Sequence, residues 1–354
     1  MADTITIAGR LVGRGCPPFM VAELSSNHLG DIARARALIS AAARAGADAV
    51  KIQLYAPEDM TRDSRSAGFV VESGPWAGRT LFDLYREAQT PTEWLPDLLA
   101  AAHASGIALF ATPFAPAAAR RMAELSVPAF KISSFEAVDI ALIREVSRHG
   151  KPVIISTGMC DHDEITRAVD AARSAGAKEL ALLHCTSAYP APIAEADLCS
   201  IPAMQASYGV PVGYSDHTIG TIAAVASAAL GAAIIEKHFT LARADGGTDA
   251  AFSLEPEEFS VLVQNCRQAQ AARGQPRTGP SASEQAYRLY RRSLFAATDI
   301  PRGAIIAPSM VRTFRPALGL APHLLPEIIG RKAMRDIAAG EPLAWEMFGG
   351  RPLS

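Results

Sequence analysis

Two lysines occupy near-identical settings, Lys51 within AVKIQ and Lys131 within AFKIS, each framed by alternating apolar residues that point both ammonium groups to the same side of a strand. Other short apolar runs end in Glu23, Gln53, Thr112, Ser133 with Ser134, Ser156, Thr186 with Ser187, Ser215 with His217, and His238. Two ammonium groups among several hydroxyls can replace the hydration shell of a phosphate or carboxylate, so these residues predict an anion site. The plainer alternative, lysines solvated on a rim, accounts less well for the repeated framing. Schiff-base chemistry, as in an aldolase, needs a lone, desolvated lysine and fits this hydroxyl-rich set poorly.

His217 and His238 stand 21 positions apart on successive runs. Both imidazoles could therefore reach one metal ion, with water and substrate completing its shell. Acid–base work, or hydrogen bonding within a polar core, is the competing role. Glu23 is a candidate ligand or general base.

The elements that must hold these groups are eight short apolar runs: 19–24, 48–53, 107–112, 128–132, 152–157, 179–185, 211–215 and 232–238. Ala-rich segments of helical period, such as DIARARALISAAARAG, follow most of them. This alternation predicts an α/β fold, a (β/α)8 TIM barrel, whose catalytic groups sit at the carboxyl ends of the strands; an open doubly wound sheet is the alternative. Residues 55–94 exceed one helix and predict an insertion over the barrel mouth. The barrel is expected over residues 1–273, and the Gly-, Pro- and Ser-rich stretch 274–289 reads as a linker. A small, mostly β domain is expected over 290–354, where DIPRG and DIAAG each lead into a short apolar run.

Composition narrows the functions. A content of 49% hydrophobic and 20% charged residues, with a net charge of −2, argues against disorder and against nucleic acid or an anionic membrane as partner. The five cysteines have no paired-ligand spacing, so a disulfide framework or thiolate zinc site is not expected and a reducing cytoplasm fits. The start MADTITIAG lacks signal-peptide features, and the longest apolar run is too short to span a bilayer.

The motifs AELSSNHLGD, GADAVKIQ, FATPF, FKISSFE, ISTGM, HCTSAYP, GYSDHTIG and EKHFTL, in this order, resemble the sialic acid synthase family. The tail from RRSLFAATDIPRGAII through RPALGL to GRKAMRDIAAGEPL resembles that family's C-terminal antifreeze-like (SAF) domain. Trp76, TLFDLYREA and TPTEW are closer to the pseudaminic than to the N-acetylneuraminic acid synthases. The resemblance implies condensation of phosphoenolpyruvate with an open-chain 2-acetamido sugar, here 2,4-diacetamido-2,4,6-trideoxy-altrose, giving a nine-carbon ulosonic acid and phosphate. N-acetylneuraminic or legionaminic acid synthesis is the nearest alternative, and a non-catalytic sugar-phosphate sensor is the alternative of another class.

By matching motif, Lys51, Thr112, Lys131, Ser134, Ser156, Ser187 and Ser215 correspond to phosphoenolpyruvate-binding groups, and His217 and His238 to ligands of a divalent metal, Mn2+ or Mg2+. Gln53, Glu136, Tyr189 and Asp249 correspond to sugar contacts, and Glu23 to the acid at the reacting carbons. Arg315 corresponds to an arginine that enters the partner's site, which implies a domain-swapped homodimer. Ser187 stands where the N-acetylneuraminate pattern has asparagine, and ARADGGTDAAFS replaces the stretch usual after HFTL.

Overall fold

The computed structural model describes residues 3–74 and 76–351. The chain divides into two compact units, one ending at Gly274 and the other beginning at Gln275.

The first unit opens with a hairpin, β1 (Thr4–Ile7) and β2 (Arg10–Gly13), followed by the barrel strands β3 (Phe19–Glu23), β4 (Ala49–Leu54), β5 (Ala108–Pro113), β6 (Phe130–Ile132), β7 (Val153–Ser156), β8 (Leu180–Cys185), β9 (Val212–Asp216) and β10 (Ile234–His238). These eight close in sequence order, all parallel, with β10 pairing back onto β3. The register sets Lys51 beside Glu23, and His238 on the other side of Glu23. The observed strands begin and end within two residues of the predicted runs. Parallel strands covered on both faces are apolar throughout, and so they read as continuous runs.

Helices form where apolar residues recur at helical spacing behind a polar cap. Asp31 accepts from the Ala33 amide to start Ile32–Arg44, and Asp161 with Glu164 forms a capping box for His162–Ser174. Ile222–Leu230 ends at Gly231, whose φ of 98° suits a residue without Cβ. The helices bury residues such as Leu38, Ile143, Val169 and Leu262 against the outer faces of the strands.

Nothing in the periodicity or composition pointed to the hairpin's role. Its Ile5, Ile7 and Val12 pack with Phe19, Ala49, Ala129, Ala181 and Ala233, each within one residue of the start of a barrel strand. The hairpin thus plugs the end opposite the catalytic mouth.

The insertion after β4 contains helices Pro57–Met60 and Leu81–Ala88. In the second unit, the stretch read as a linker carries a helical turn, Ala282–Gln285, capped by Ser281 and Glu284. Beyond it, β11 (Ser293–Ala296) and β12 (Val311–Phe314) pair antiparallel around a core that includes Leu294, Ile300, Ile328 and Leu343. No helix among the described residues is long and apolar enough to cross a membrane.

Candidate active site

Side chains alternate along a strand, so Lys51 and Gln53 on β4, Lys131 on β6, Ser215 on β9, and both Glu236 and His238 on β10 face the barrel interior. The four charged groups nearest the centre form a chain. Lys51 Nζ lies 2.8 Å from Glu23 Oε2 and 3.6 Å from Glu236 Oε1, while Lys131 Nζ lies 3.1 Å from Glu236. Lys51 and Lys131 are 3% and 2% exposed, so water screens none of these contacts effectively.

Burial shapes their titration. It raises the Glu23 carboxyl above its ordinary value against the pull of Lys51, and it lowers Lys131 against the pull of Glu236. Glu236 also pays for burial, yet Lys131 and Lys51 together hold it down at about 2. Ser215 Oγ donates to the same carboxylate at 3.1 Å. Two carboxylates balance two ammonium groups, so the cavity floor is neutral before any ligand arrives.

Beside Lys131 lies a hydroxyl-lined corner. Ser134 Oγ accepts from the Gly158 amide at 3.1 Å and lies 3.0 Å from Cys185 Sγ, which is 3.7 Å from Ser187 Oγ. A side chain at Gly158 would collide with Ser134, Cys185 and Ser187 together, so only glycine lets the backbone approach this closely. Ser156 Oγ is buried with no protein partner and lines the same cavity, leaving a hydroxyl free for a ligand.

The two histidines meet at the far side. Their ring centroids are 5.5 Å apart, and Tyr189 packs 4.4 Å from the His217 ring. His217 Nδ1–H donates to the Thr186 carbonyl, which leaves Nε2 with its lone pair. His238 Nδ1 is buried without a partner. Burial depresses both rings, His217 to about 4, so both are neutral at physiological pH, the form that binds a metal. Among the described residues no cluster of three or more His, Cys, Asp or Glu forms a metal-ligand set.

The cavity measures about 360 Å3, and its outer part changes character. Met60, Leu81, Leu84, Tyr85 and Ala88 of the insertion form an apolar wall with Tyr55 and Phe114. Tyr55 meets Tyr85 and Phe114 edge-on, at centroid distances of 5.9 and 5.2 Å. Polar groups sit opposite. Gln53 Nε2 donates to Glu23 Oε1 at 3.1 Å, Asp249 accepts from Ser25 and Ser26, and Glu136 accepts from Ser133. Burial raises both Asp249 and Glu136 above their ordinary values.

Of the residues singled out in the sequence, Glu23, Lys51, Gln53, Lys131, Ser134, Glu136, Ser156, Tyr189, Ser215, His217, His238 and Asp249 line this one cavity. Thr112 does not; it stands behind Lys51 and accepts from its ammonium group at 3.3 Å. Ser187 faces a shallower neighbouring groove of about 720 Å3 and reaches the cavity corner only through Cys185. Arg315 is exposed on the second unit.

Sequence reasoning missed Glu236, Ser25 and Cys185. Glu236 was within reach: it lies two positions before His238 on one strand and must share its face.

The chain is similar to known proteins along most of its length. Residues 38–278 match the model of the NeuB family, and residues 291–349 match the SAF domain. A pseudaminic acid synthase of Campylobacter jejuni is 38% identical over 92% of this chain and 95% of its own length. An N,N'-diacetyllegionaminic acid synthase of Legionella pneumophila is 32% identical over 93% and 94%. The crystal structure of an N-acetylneuraminic acid synthetase from Leptospira borgpetersenii superposes with a TM-score of 0.73 at 32% identity, covering 81% of this chain and 95% of that one.

Proposed function

Because this chain belongs to the NeuB family and carries a SAF domain, we propose that it condenses phosphoenolpyruvate with 2,4-diacetamido-2,4,6-trideoxy-altrose to form pseudaminic acid and inorganic phosphate. The observation that carries this reading is the division of one cavity into a floor of two lysines and several hydroxyls, that of Ser156 unpartnered, and an apolar outer wall. The floor suits a small, highly charged enol phosphate. The wall of Leu81, Leu84, Tyr85 and Phe114 suits the methyl groups of a deoxy, doubly acetylated sugar better than a fully hydroxylated one. The 38% identity to a pseudaminic acid synthase, against 32% to a legionaminic acid synthase, points the same way.

A neutral floor cannot by itself offset the several negative charges of phosphoenolpyruvate, and the unpartnered His238 Nδ1 and free His217 Nε2 fit a divalent cation, Mn2+ or Mg2+. Such a cation supplies Lewis acidity toward the sugar aldehyde when bound. The chain's own groups do the rest. Lys51 and Lys131 exchange their internal carboxylate partners for the ligand's carboxylate and phosphate, assisted by Ser134, Ser156 and Ser215. Gln53, Glu136, Tyr189 and Asp249 orient the open-chain sugar so that its C1 faces C3 of the enol.

Carbon–carbon bond formation leaves positive charge at C2, which Glu23 and Glu236 stabilise. Water adds at C2 and Glu23, whose affinity for protons burial has raised, takes the proton. The alkoxide left on the former aldehyde oxygen takes this proton from Glu23, and the C2–O bond then breaks as the C2 hydroxyl becomes the ketone and its proton leaves on the phosphate, which departs against Lys51 and Lys131.

Homodimerisation belongs to the same reading. Phe135, Val138, Met159, Ile193, Ile219 and Ile222 are exposed on the connections that follow β6, β7, β8 and β9, around the mouth. An apolar rim of this kind fits cover by a second copy, whose Arg315 would complete the sugar end. The deciding assay measures phosphate released from phosphoenolpyruvate with the altrose derivative, the legionaminic acid precursor and N-acetylmannosamine in parallel. Release with the altrose derivative at the highest kcat/KM is expected; preference for either other sugar would replace the substrate, and no release with any would end the enzymatic reading.

A further inference from the structure

Asp216 and Lys237 are directly paired across β9 and β10 and lie on the outer face of the barrel wall, because their neighbours Ser215, His217, Glu236 and His238 all face inward. Lys237 Nζ donates to Asp216 Oδ2 at 2.8 Å and to the Thr218 carbonyl, and both side chains are fully buried. Asp216 Oδ1 accepts from the Thr218 amide at 2.8 Å and from its hydroxyl at 2.7 Å. The three-residue turn Asp216-His217-Thr218 is thus closed on itself and bolted to the residue preceding His238.

Stability alone does not explain such a pair. Two buried charges lose their hydration, and well-packed apolar residues of similar volume would hold two strands together at least as firmly. What the charges add is direction. The ammonium group fixes the carboxylate and the carbonyl that flank His217, and its own backbone carries His238 at the next position. Freedom in either imidazole's anchor is removed from behind, on the side no substrate reaches.

We propose that Asp216 and Lys237 are positioning residues that set the separation of His217 and His238, and thereby the affinity of the site for a divalent cation. This rests on the metal-dependent reading given above. The pair touches neither substrate nor ion; it acts through the strand backbone. Its removal loosens ion binding and slows turnover, while the phosphoenolpyruvate floor, built on Lys51 and Lys131, keeps its grip.

The test uses the full-length protein and Mn2+ alone as probe, with affinity read from the electron paramagnetic resonance signal of free Mn2+ and folding from circular dichroism and Tm. The double variant Asp216→Asn with Lys237→Met leaves no lone buried charge. It should fold, bind Mn2+ at least tenfold more weakly than wild type, lose at least tenfold in kcat, and keep KM for phosphoenolpyruvate within about threefold. Wild-type Mn2+ affinity in this folded variant would overturn the inference and leave the metal-dependent reading standing. Should the double variant not fold, Lys237→Arg keeps the charge but replaces the compact ammonium group by a larger, planar guanidinium, and unchanged Mn2+ affinity there would overturn it equally. Failure of the wild-type protein to bind Mn2+ would sink both readings.

Discussion

Lys131 Nζ stands 3.1 Å from each carboxylate oxygen of Glu236, with both groups buried on the barrel floor. An ammonium ion held this way is charged only because its partner is. Glu236→Gln should therefore destabilise the protein by about 3–5 kcal/mol, the usual cost of stranding one member of a buried pair, and cut kcat by at least a hundredfold. Adding Lys131→Met should recover much of the stability in urea unfolding and none of the turnover. Equal stability of the Glu236→Gln variant and wild type would show that the pair carries no such load.

His217→Ala and His238→Ala should each abolish metal-dependent turnover while circular dichroism and Tm stay close to wild type. The wild-type protein, stripped by a chelator, should regain activity with Mn2+ or Mg2+. Full activity of either variant after rigorous metal depletion would remove the metal from the mechanism.

His28 couples the fold to pH. Its Nε2–H donates to Thr90 at 3.1 Å, its Nδ1 accepts from the Gly30 amide, and burial depresses it to about 4. The unfolded chain, with an ordinary imidazole at 6.5, binds the extra proton first. The contribution is therefore whole above pH 6.5 and lost as pH falls toward 4, by roughly 3 kcal/mol from this residue. Denaturant midpoints across that window should fall less steeply for His28→Gln than for wild type, and parallel slopes would count against the assignment.

Arg315 is tested by mixing. An Arg315→Ala subunit and a Glu23→Gln subunit, each inactive alone, should regain partial activity after co-refolding if the arginine serves the partner's cavity. No recovery despite mixed dimers on native mass spectrometry would favour an arginine acting within its own chain.

Addition of water at C2 sends the bridging oxygen of phosphoenolpyruvate out with phosphate. Substrate labelled at that oxygen should deliver the label to inorganic phosphate, seen as an isotope shift in its 31P signal. Label retained in the sugar acid, with solvent oxygen in phosphate, would rule out the step assigned to Glu23.

Residue order alone made the eight parallel strands legible, because strands covered on both faces are written as uninterrupted apolar runs, and with them the polar strand-end residues that a barrel gathers at one mouth. It also marked Lys51 and Lys131 through their shared framing. Tertiary structure alone decided which charges neutralise one another: Glu236 meets Lys131 from 105 positions away, across a barrel that must first close. It likewise turned an unremarked N-terminal hairpin into the plug beneath the core, and moved Thr112 and Ser187 behind the residues that face the cavity. Local periodicity fixes the side of a strand a residue points to; only closure fixes what it meets there.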